Sequence, residues 1–433
     1  MTQALRALYS AAFYLLIPFV LLRLLWRSRR NPAYRQRLGE RFGFSSLSFE
    51  KSLWVHAVSV GESLIAVSLI KKLRLRYPSL PIVVTTMTPT GAARIQAALG
   101  DSVSHVYVPY DLPMAVNRFL KRIKPALALI VETELWPNFY ESCHQRGIPI
   151  VLANGRLSER SAAGYRRIAL LTRDMLAKIS LLMAQGKADA ERYIALGMDP
   201  NRVVVTGNIK FDLEVPADLM PRSEVLRMHL GKDRLIWVAA STHAGEEEII
   251  LKAHAQIRAT QPEALLILVP RHPERFTPVA ELLAQQGFDS VRRSSGQSCG
   301  MNTAVFLGDT MGEMFLFYAA ADVAFVGGSF APIGGHNLLE PAALSKPVLS
   351  GPHLFNFTEI AGFLTQADAL VKVEDAETLA AAVLRFFAEP ELRRQKGENA
   401  RQVVEANRGS LAKHIDLIGG ISDPMDAVQP LTI

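Results

Sequence analysis

Cysteine is scarce: the 433 residues contain only Cys143 and Cys299, with no CxxC spacing. That excludes a disulfide framework and a thiolate zinc site, and it suits a reducing compartment. Phosphate-loop signatures are missing too. There is no GxxxxGK[ST], and the first strand-turn, "HAVSVGE", lacks GxGxxG, which disfavours ATP hydrolysis and NAD binding. No HExxH occurs, and His243, His272, His336 and His353 fall in separate loops without paired spacing, so no metal is expected. The most uneven absence is of negative charge. Residues 1–39 hold no acid and no lysine but seven arginines (6, 23, 27, 29, 30, 35 and 37), and Glu40 is the first carboxylate. Setting those seven apart from the 48 basic residues leaves 41, equal to the 41 acids, so the net charge of +7 belongs to the N-terminus and the body is neutral. Such a distribution suits an anionic membrane surface, and no nucleic-acid partner is expected.

Within the basic segment, Leu8 to Leu25 reads "LYSAAFYLLIPFVLLRLL", roughly the length that crosses a hydrocarbon core. Pro18 and Arg23 interrupt it, and Trp26 with "RSRR" flanks it. A cleavable signal places charge before the apolar run and small residues after it, and here the order is reversed. Residues 1–30 are therefore expected to form an uncleaved membrane anchor, with the arginines and the body on the cytoplasmic side. The alternative is a helix lying in the interface, which Arg23 and the modest length allow.

Beyond the anchor, short β-branched runs alternate with helical stretches, the mark of a parallel α/β sheet. The alternation pauses in "TGNIKFDLEVPADLMPRS" and then resumes with "LIWVAAST", "ALLILVPR", "AVFLGDT" and "VAFVGGSF". The reading is an α/β protein of two Rossmann-like lobes, 31–210 and 223–422, joined by a linker at 211–222 and followed by a flexible tail at 423–433. "VHAVSVGES" and "VAASTHAGEEE" open the lobes alike, each with a strand, a turn and a helix led by glutamate, an acid that also complements the helix dipole. Ligands of such sheets bind outside the carboxyl ends of the strands, so two facing lobes imply a cleft.

Four loops of the second lobe follow strands directly. "PRHPER" offers Arg271 and His272 as anion contacts, and "GDTMGE" (Gly308 to Glu313) turns into a helix. "GGS" ends a strand, and "GGHNLLEP" begins another helix. Gly334 and Gly335 let amides approach an anion at that helix start. Glu340 lies one turn beyond His336, placed to take the two hydroxyls of a ribose. Together the loops point to a nucleotide.

The first lobe looks built for the other substrate. "NPAYRQRLGERFGF" puts Tyr34, Leu38 and Phe42 on one helical stripe and sets Glu40 beside Arg41. As the lone carboxylate of a basic segment, Glu40 either relieves repulsion or serves as a base where an anionic acceptor docks. His56, Ser59, Gly61 and Glu62, then Glu132 and Glu134, then Asn154 and Arg156, stand at successive strand ends.

In this order, "RLGERFG", "HAVSVGE", "TTMTPTG", "VETELWPN", "NGRLS", "GNIKFD", "PRHPER", "GDTMGE" and "GGHNLLEP" resemble the 3-deoxy-D-manno-octulosonic acid (Kdo) transferases of lipopolysaccharide synthesis over nearly the whole chain. The resemblance implies a GT-B glycosyltransferase fold and inverting transfer of Kdo from CMP-Kdo to a lipid A precursor at the inner membrane's cytoplasmic face. No metal, no cofactor and no covalent enzyme intermediate are implied. It makes Glu40 the general base, the first lobe the acceptor domain, and the second the donor domain. Arg271 would hold the phosphate with His272 beside it, and Gly308, Asp309, Met311, Gly312 and Glu313 would line the cytosine. Gly334, Gly335, His336 and Asn337 would cradle the phosphate, Glu340 would take the ribose, and Lys210 would join the donor set. His56, Ser59, Gly61, Glu62, Glu132, Glu134 and Arg156 would serve the acceptor. The competing readings are a GT-B enzyme using a UDP-sugar, such as a lipid A disaccharide synthase or an epimerase, and a tethered nucleotide-binding regulator without turnover.

Overall fold

The computed structural model describes residues 2–29 and 31–421. The proposed tail at 423–433 lies outside the described residues. The chain divides into two compact units, one running to Asp212 and resuming at Arg408, the other from Leu213 to Asn407.

In the first unit the strands are β1 (Ser52–His56), β2 (Ile82–Thr86), β3 (Ser104–Tyr107), β4 (Pro125–Val131), β5 (Ile150–Gly155), β6 (Leu181–Ala184) and β7 (Val203–Val205). They form one sheet in the order β3-β2-β1-β4-β5-β6-β7, parallel throughout. Alternate residues feed two cores. Leu53, Val55, Leu127, Leu129 and Val131 enter one, while Trp54, Ala128 and Ile130 enter the other. Burial on both faces is why these strands read as unbroken apolar runs and why helices must cover both sides. The strand order reverses between β1 and β4, so the ends of those two strands bound the natural ligand crevice of this unit.

The second unit repeats the plan with β8 (Ile236–Thr242), β9 (Leu265–Pro270), β10 (Ser290–Arg292), β11 (Val305–Leu307), β12 (Val323–Val326), β13 (Val348–Ser350) and β14 (Leu370–Lys372). Its parallel sheet has the order β10-β11-β9-β8-β12-β13-β14, with the reversal between β8 and β12.

Three boundaries differ from the sequence reading. Residues 219–222, placed in the linker, begin the helix Leu219–Leu230 of the second unit. The last helix, Ser410–Ile421, belongs to the first unit, where Leu411 and Ile418 enter the core and the buried His414 accepts the Asn154 amide at 3.0 Å. An amphipathic helix shows which of its faces is buried but not against which sheet. The single helix expected over "NPAYRQRLGERFGF" is two short 3₁₀ turns, Pro32–Arg35 and Leu38–Phe42, because Gln36 turns extended to end the first and Arg37, at φ +57°, precedes the second. Tyr34 and Phe42 therefore do not share a stripe. Phe42 packs on Tyr110, while Tyr34 lies under Arg27.

The apolar segment forms the helix Thr2–Ser28, with Pro18 inside it and a mean hydropathy of 1.9, long and apolar enough to cross a membrane.

Candidate active site

Glu40 lies in the turn Leu38–Phe42, and its carboxylate is held at both oxygens. Arg37 Nε donates to Oε1 at 2.7 Å and the Tyr107 amide donates to Oε2 at 2.8 Å. Each oxygen keeps a second lone pair. Arg37 and Arg41 also stack over the Tyr107 ring at 5.0 and 4.5 Å, so the end of β3 and the turn form one charged unit. Arg37 reaches on to His105, whose imidazole burial pushes down to about 4, with the neighbouring guanidinium adding to the effect. Gly43 ends the turn at φ +78°, and a Cβ there would lie 2.2 Å from the Ala115 carbonyl oxygen.

At the β1 end, His56 is buried and pushed down to about 4 by desolvation. Its Nδ1 meets Thr85 Oγ1 at 2.8 Å, and its buried Nε2 has no partner among the described residues. Ser59 and Glu62 form a reciprocal capping box on the helix Val60–Arg76, and Glu62 also accepts the Val58 amide at 2.7 Å. Their first task is therefore structural. Gly61 stands exposed in the first turn of that helix.

The acid pair lies just past the end of β4. β4 stops at Val131, and Glu132 turns the chain with φ +60°. Both carboxylates then share the field of Glu62. Burial raises Glu132 despite Lys210 Nζ at 3.8 Å, and burial together with Glu62 and Glu132 pushes Glu134 up to about 7. Trp136 Nε1 donates to Glu134 at 2.6 Å. Arg156 follows β5, within electrostatic reach of Glu132, and its carbonyl accepts the Thr133 hydroxyl. Lys210, read as a donor residue, sits in this unit against Glu132.

In the second unit, three histidines that the sequence keeps apart converge. The His243 and His336 rings stack at 5.0 Å with Nε2 atoms 2.8 Å apart, and His272 stands edge-on to His243 at 5.3 Å. Two imidazoles on one tetrahedral zinc, each about 2.0 Å from it, would hold their nitrogens roughly 3.3 Å apart. The closer spacing is that of a hydrogen bond. Desolvation, then Arg271 and the other imidazoles, pushes His336 down to about 3, and burial lowers His243. The His243–His336 pair is thus neutral near pH 7 beside the cation of Arg271. The Arg271 side chain has no hydrogen-bonded or ion-paired partner among the described residues. Arg275, nearby in sequence, is taken by the buried Glu247 at 3.0 Å.

Part of the glycine-rich stretch is engaged within the chain. Glu246, fully buried, accepts the amides of His243, Gly328, Ser329 and Phe330 at 2.7 to 3.0 Å. The nest after β12 is therefore filled by a carboxylate of this chain. In the sequence Glu246 looked like one of three helix-dipole acids, and only its place directly after Gly245 sets it apart. Gly334 (φ +106°) and Gly335 (φ +78°) are required by close packing on residues 354–356, and the Gly335 amide is spent on Gly328 O at 2.7 Å. The helix expected at "GGHNLLEP" begins only at Leu339 and runs to Ala343, so its dipole is small. Asn337 Nδ2 donates to Glu340 Oε1 at 3.1 Å, and its Oδ1 accepts the Leu339 amide.

The acids of "GDTMGE" are also engaged. Asp309 binds Arg292 and Ser294, and Glu313 binds Arg293 and Thr310. In the same turn Gly308 packs on Val269 and Phe317, Gly312 adopts φ +82°, and Met311 is exposed.

Comparison with known proteins assigns this arrangement. The family described as 3-Deoxy-D-manno-octulosonic-acid transferase (kdotransferase) matches residues 36–213, and glycosyl transferases group 1 matches residues 230–403. The 3-deoxy-D-manno-octulosonic acid transferase of Haemophilus influenzae is 43% identical over 95% of this chain and 98% of that protein. That of Bordetella pertussis is 35% identical over the same shares. Among solved structures, the UDP-GlcNAc 2-epimerase of Neisseria meningitidis covers 86% of the chain and 100% of its own at a TM-score of 0.58 and 13% identity. MurG of Acinetobacter baumannii has the same coverage at 0.53 and 12%. These two share the fold alone, which is GT-B. The chain belongs to the Kdo transferase family and is a glycosyltransferase.

Proposed function

We propose that the protein moves Kdo from CMP-Kdo to a lipid A precursor, with inversion, at the cytoplasmic face of the inner membrane. The observation that carries the donor half is Arg271, a guanidinium without a partner among the described residues, beside imidazoles held neutral by burial. A phosphate diester supplies the missing counter-charge, and the His243–His336 pair offers hydrogen bonds without repelling it.

In this reading Glu40 takes the proton of the acceptor hydroxyl as its oxygen attacks the anomeric carbon of Kdo. The carbon–oxygen bond to phosphate breaks in the same step, and CMP leaves with the bonding pair. Arg271 and nearby amides stabilise the charge gathering on that phosphate, a task that needs no metal. His56, with its unpartnered Nε2, and Arg156 are assigned to the acceptor, whose phosphates also suit Arg37 and Arg41.

The test is incubation with CMP-Kdo and a tetra-acylated lipid A precursor, followed by mass spectrometry of the lipid. A mass gain of Kdo, undiminished after chelator treatment, supports the reading, and no gain defeats it. A thermal shift with CMP but not UDP separates it from the UDP-sugar alternative.

A further inference from the structure

The helix Thr2–Ser28, about 40 Å long at 1.5 Å per residue, is fastened to the first unit along most of its length. Near its start, Arg6 pairs with Glu141 at 2.6 Å, a carboxylate also bound by Lys178, and Ser10 meets Asn138 at 3.2 Å. In its middle, Phe13, Ile17, Val20 and Leu24 pack with Phe42 around Tyr110, Leu112 and Ala115. At its end, Ser28 accepts Arg35 Nε at 2.6 Å. These positions recur every three or four residues and define one face. The diametrically opposite face carries Leu8, Leu15, Phe19, Leu22 and Trp26, each at least 60% exposed.

A helix that crosses a bilayer leaves its two ends in different aqueous phases and surrounds roughly 20 residues with lipid. Here both ends are tied by polar contacts to the same globular unit. Carrying the Arg6–Glu141–Lys178 cluster to the far side would carry that unit with it. We infer that the helix lies flat in one leaflet, its outer stripe in the acyl boundary and the exposed Arg23, Arg27 and Arg29 among anionic head groups. A second copy is a poor occupant, because the helix carries no acid and would set arginines against arginines. This goes beyond the proposed reaction and does not depend on it. Its chemical consequence is that Phe42, in contact with the buried face, fixes Glu40 two residues away at the level of the bilayer surface.

The test uses the full chain with Cys143→Ala and Cys299→Ala, carrying Gln3→Cys or Arg29→Cys, on vesicles of phosphatidylglycerol and phosphatidylethanolamine. A membrane-impermeant maleimide added outside should label both positions before lysis. Labelling of Gln3→Cys only after detergent would mean that the helix spans and would overturn the inference. Leu15→Asp with Leu22→Asp should weaken vesicle binding more than tenfold without changing the melting temperature, whereas unchanged binding counts against the stripe. Replacing Arg23, Arg27 and Arg29 by Gln should cost about fivefold each on these vesicles and little on phosphatidylcholine. A lipid-free dimer that the aspartates dissolve, with vesicle binding intact, would assign the stripe to a second copy and overturn the lipid assignment.

Discussion

Arg37 donates its Nε–H to Glu40 at 2.7 Å from a residue whose own backbone, at φ +57°, breaks the helix that would otherwise carry them both. The break turns a continuous amphipathic surface into a short loop that presents one carboxylate. Glu40→Gln keeps the shape and one acceptor oxygen but cannot take a proton. Turnover should fall at least a hundredfold, the lower range for general-base catalysis, with calorimetric CMP affinity unchanged. Wild-type turnover would remove Glu40 from the reaction.

Gly43 sets how that loop meets the helix Pro113–Ile123, since a Cβ there would lie 2.2 Å from a backbone oxygen of that helix. Gly43→Ala adds a positive-φ penalty to the clash and should destabilise the first unit by more than about 1 kcal/mol in urea unfolding. Turnover should drop although Glu40 is intact. A silent variant would show that the loop position does not matter.

The roles of Arg271 and Glu246 in the second unit can be separated by substitution. Arg271→Ala removes a cation that no carboxylate among the described residues pairs with, so CMP should bind at least tenfold more weakly while thermal stability stays the same, as expected for loss of a charge-assisted hydrogen bond. Glu246→Ala leaves four amides facing an empty pocket and should cost roughly 3 kcal/mol in thermal unfolding. Acetate, which can enter the vacated nest, should restore part of that loss, and a variant as stable as the parent would contradict the clamp.

Glu134 predicts a pH dependence. Its carboxyl is raised from 4.5 to about 7, so between those values the folded state binds more protons than the unfolded chain. Stability contributed by this group is therefore lost as pH rises from 4.5 to about 7. Glu134→Gln should abolish that loss, narrowing the difference in melting temperature between acid and neutral buffer. An unchanged pH profile would place the titration elsewhere.

Much of the architecture is legible in the sequence because parallel strands buried on two faces must be continuously apolar, as β4 and β8 are. The strand ends are legible for the same reason, and Arg271, His272 and His336 follow from them. Left-handed residues are harder to read. Nothing in the residue types marks Arg37 or Glu132 as positions of positive φ, yet the first lies where a helix is interrupted and the second turns the chain at the end of β4. Contacts distant in sequence are equally hidden. Three single histidines become a cluster only through strand order, and a glutamate that looks like a dipole cap becomes the anion that fills a nest 82 residues away.

The chain leaves the first unit at Asp212, and that same carboxylate receives the amides of Gly409 and Leu411 when the chain returns. During synthesis, the helix Thr2–Ser28 therefore emerges well before the helix Ser410–Ile421 that completes its parent unit. The second unit, continuous from Leu213 to Asn407, can complete its sheet during synthesis. The unit carrying Glu40 can close its core only once the His414 ring has reached Asn154, after the whole second unit has been made, so synthesis halted short of that point leaves the first unit open although its seven strands are complete.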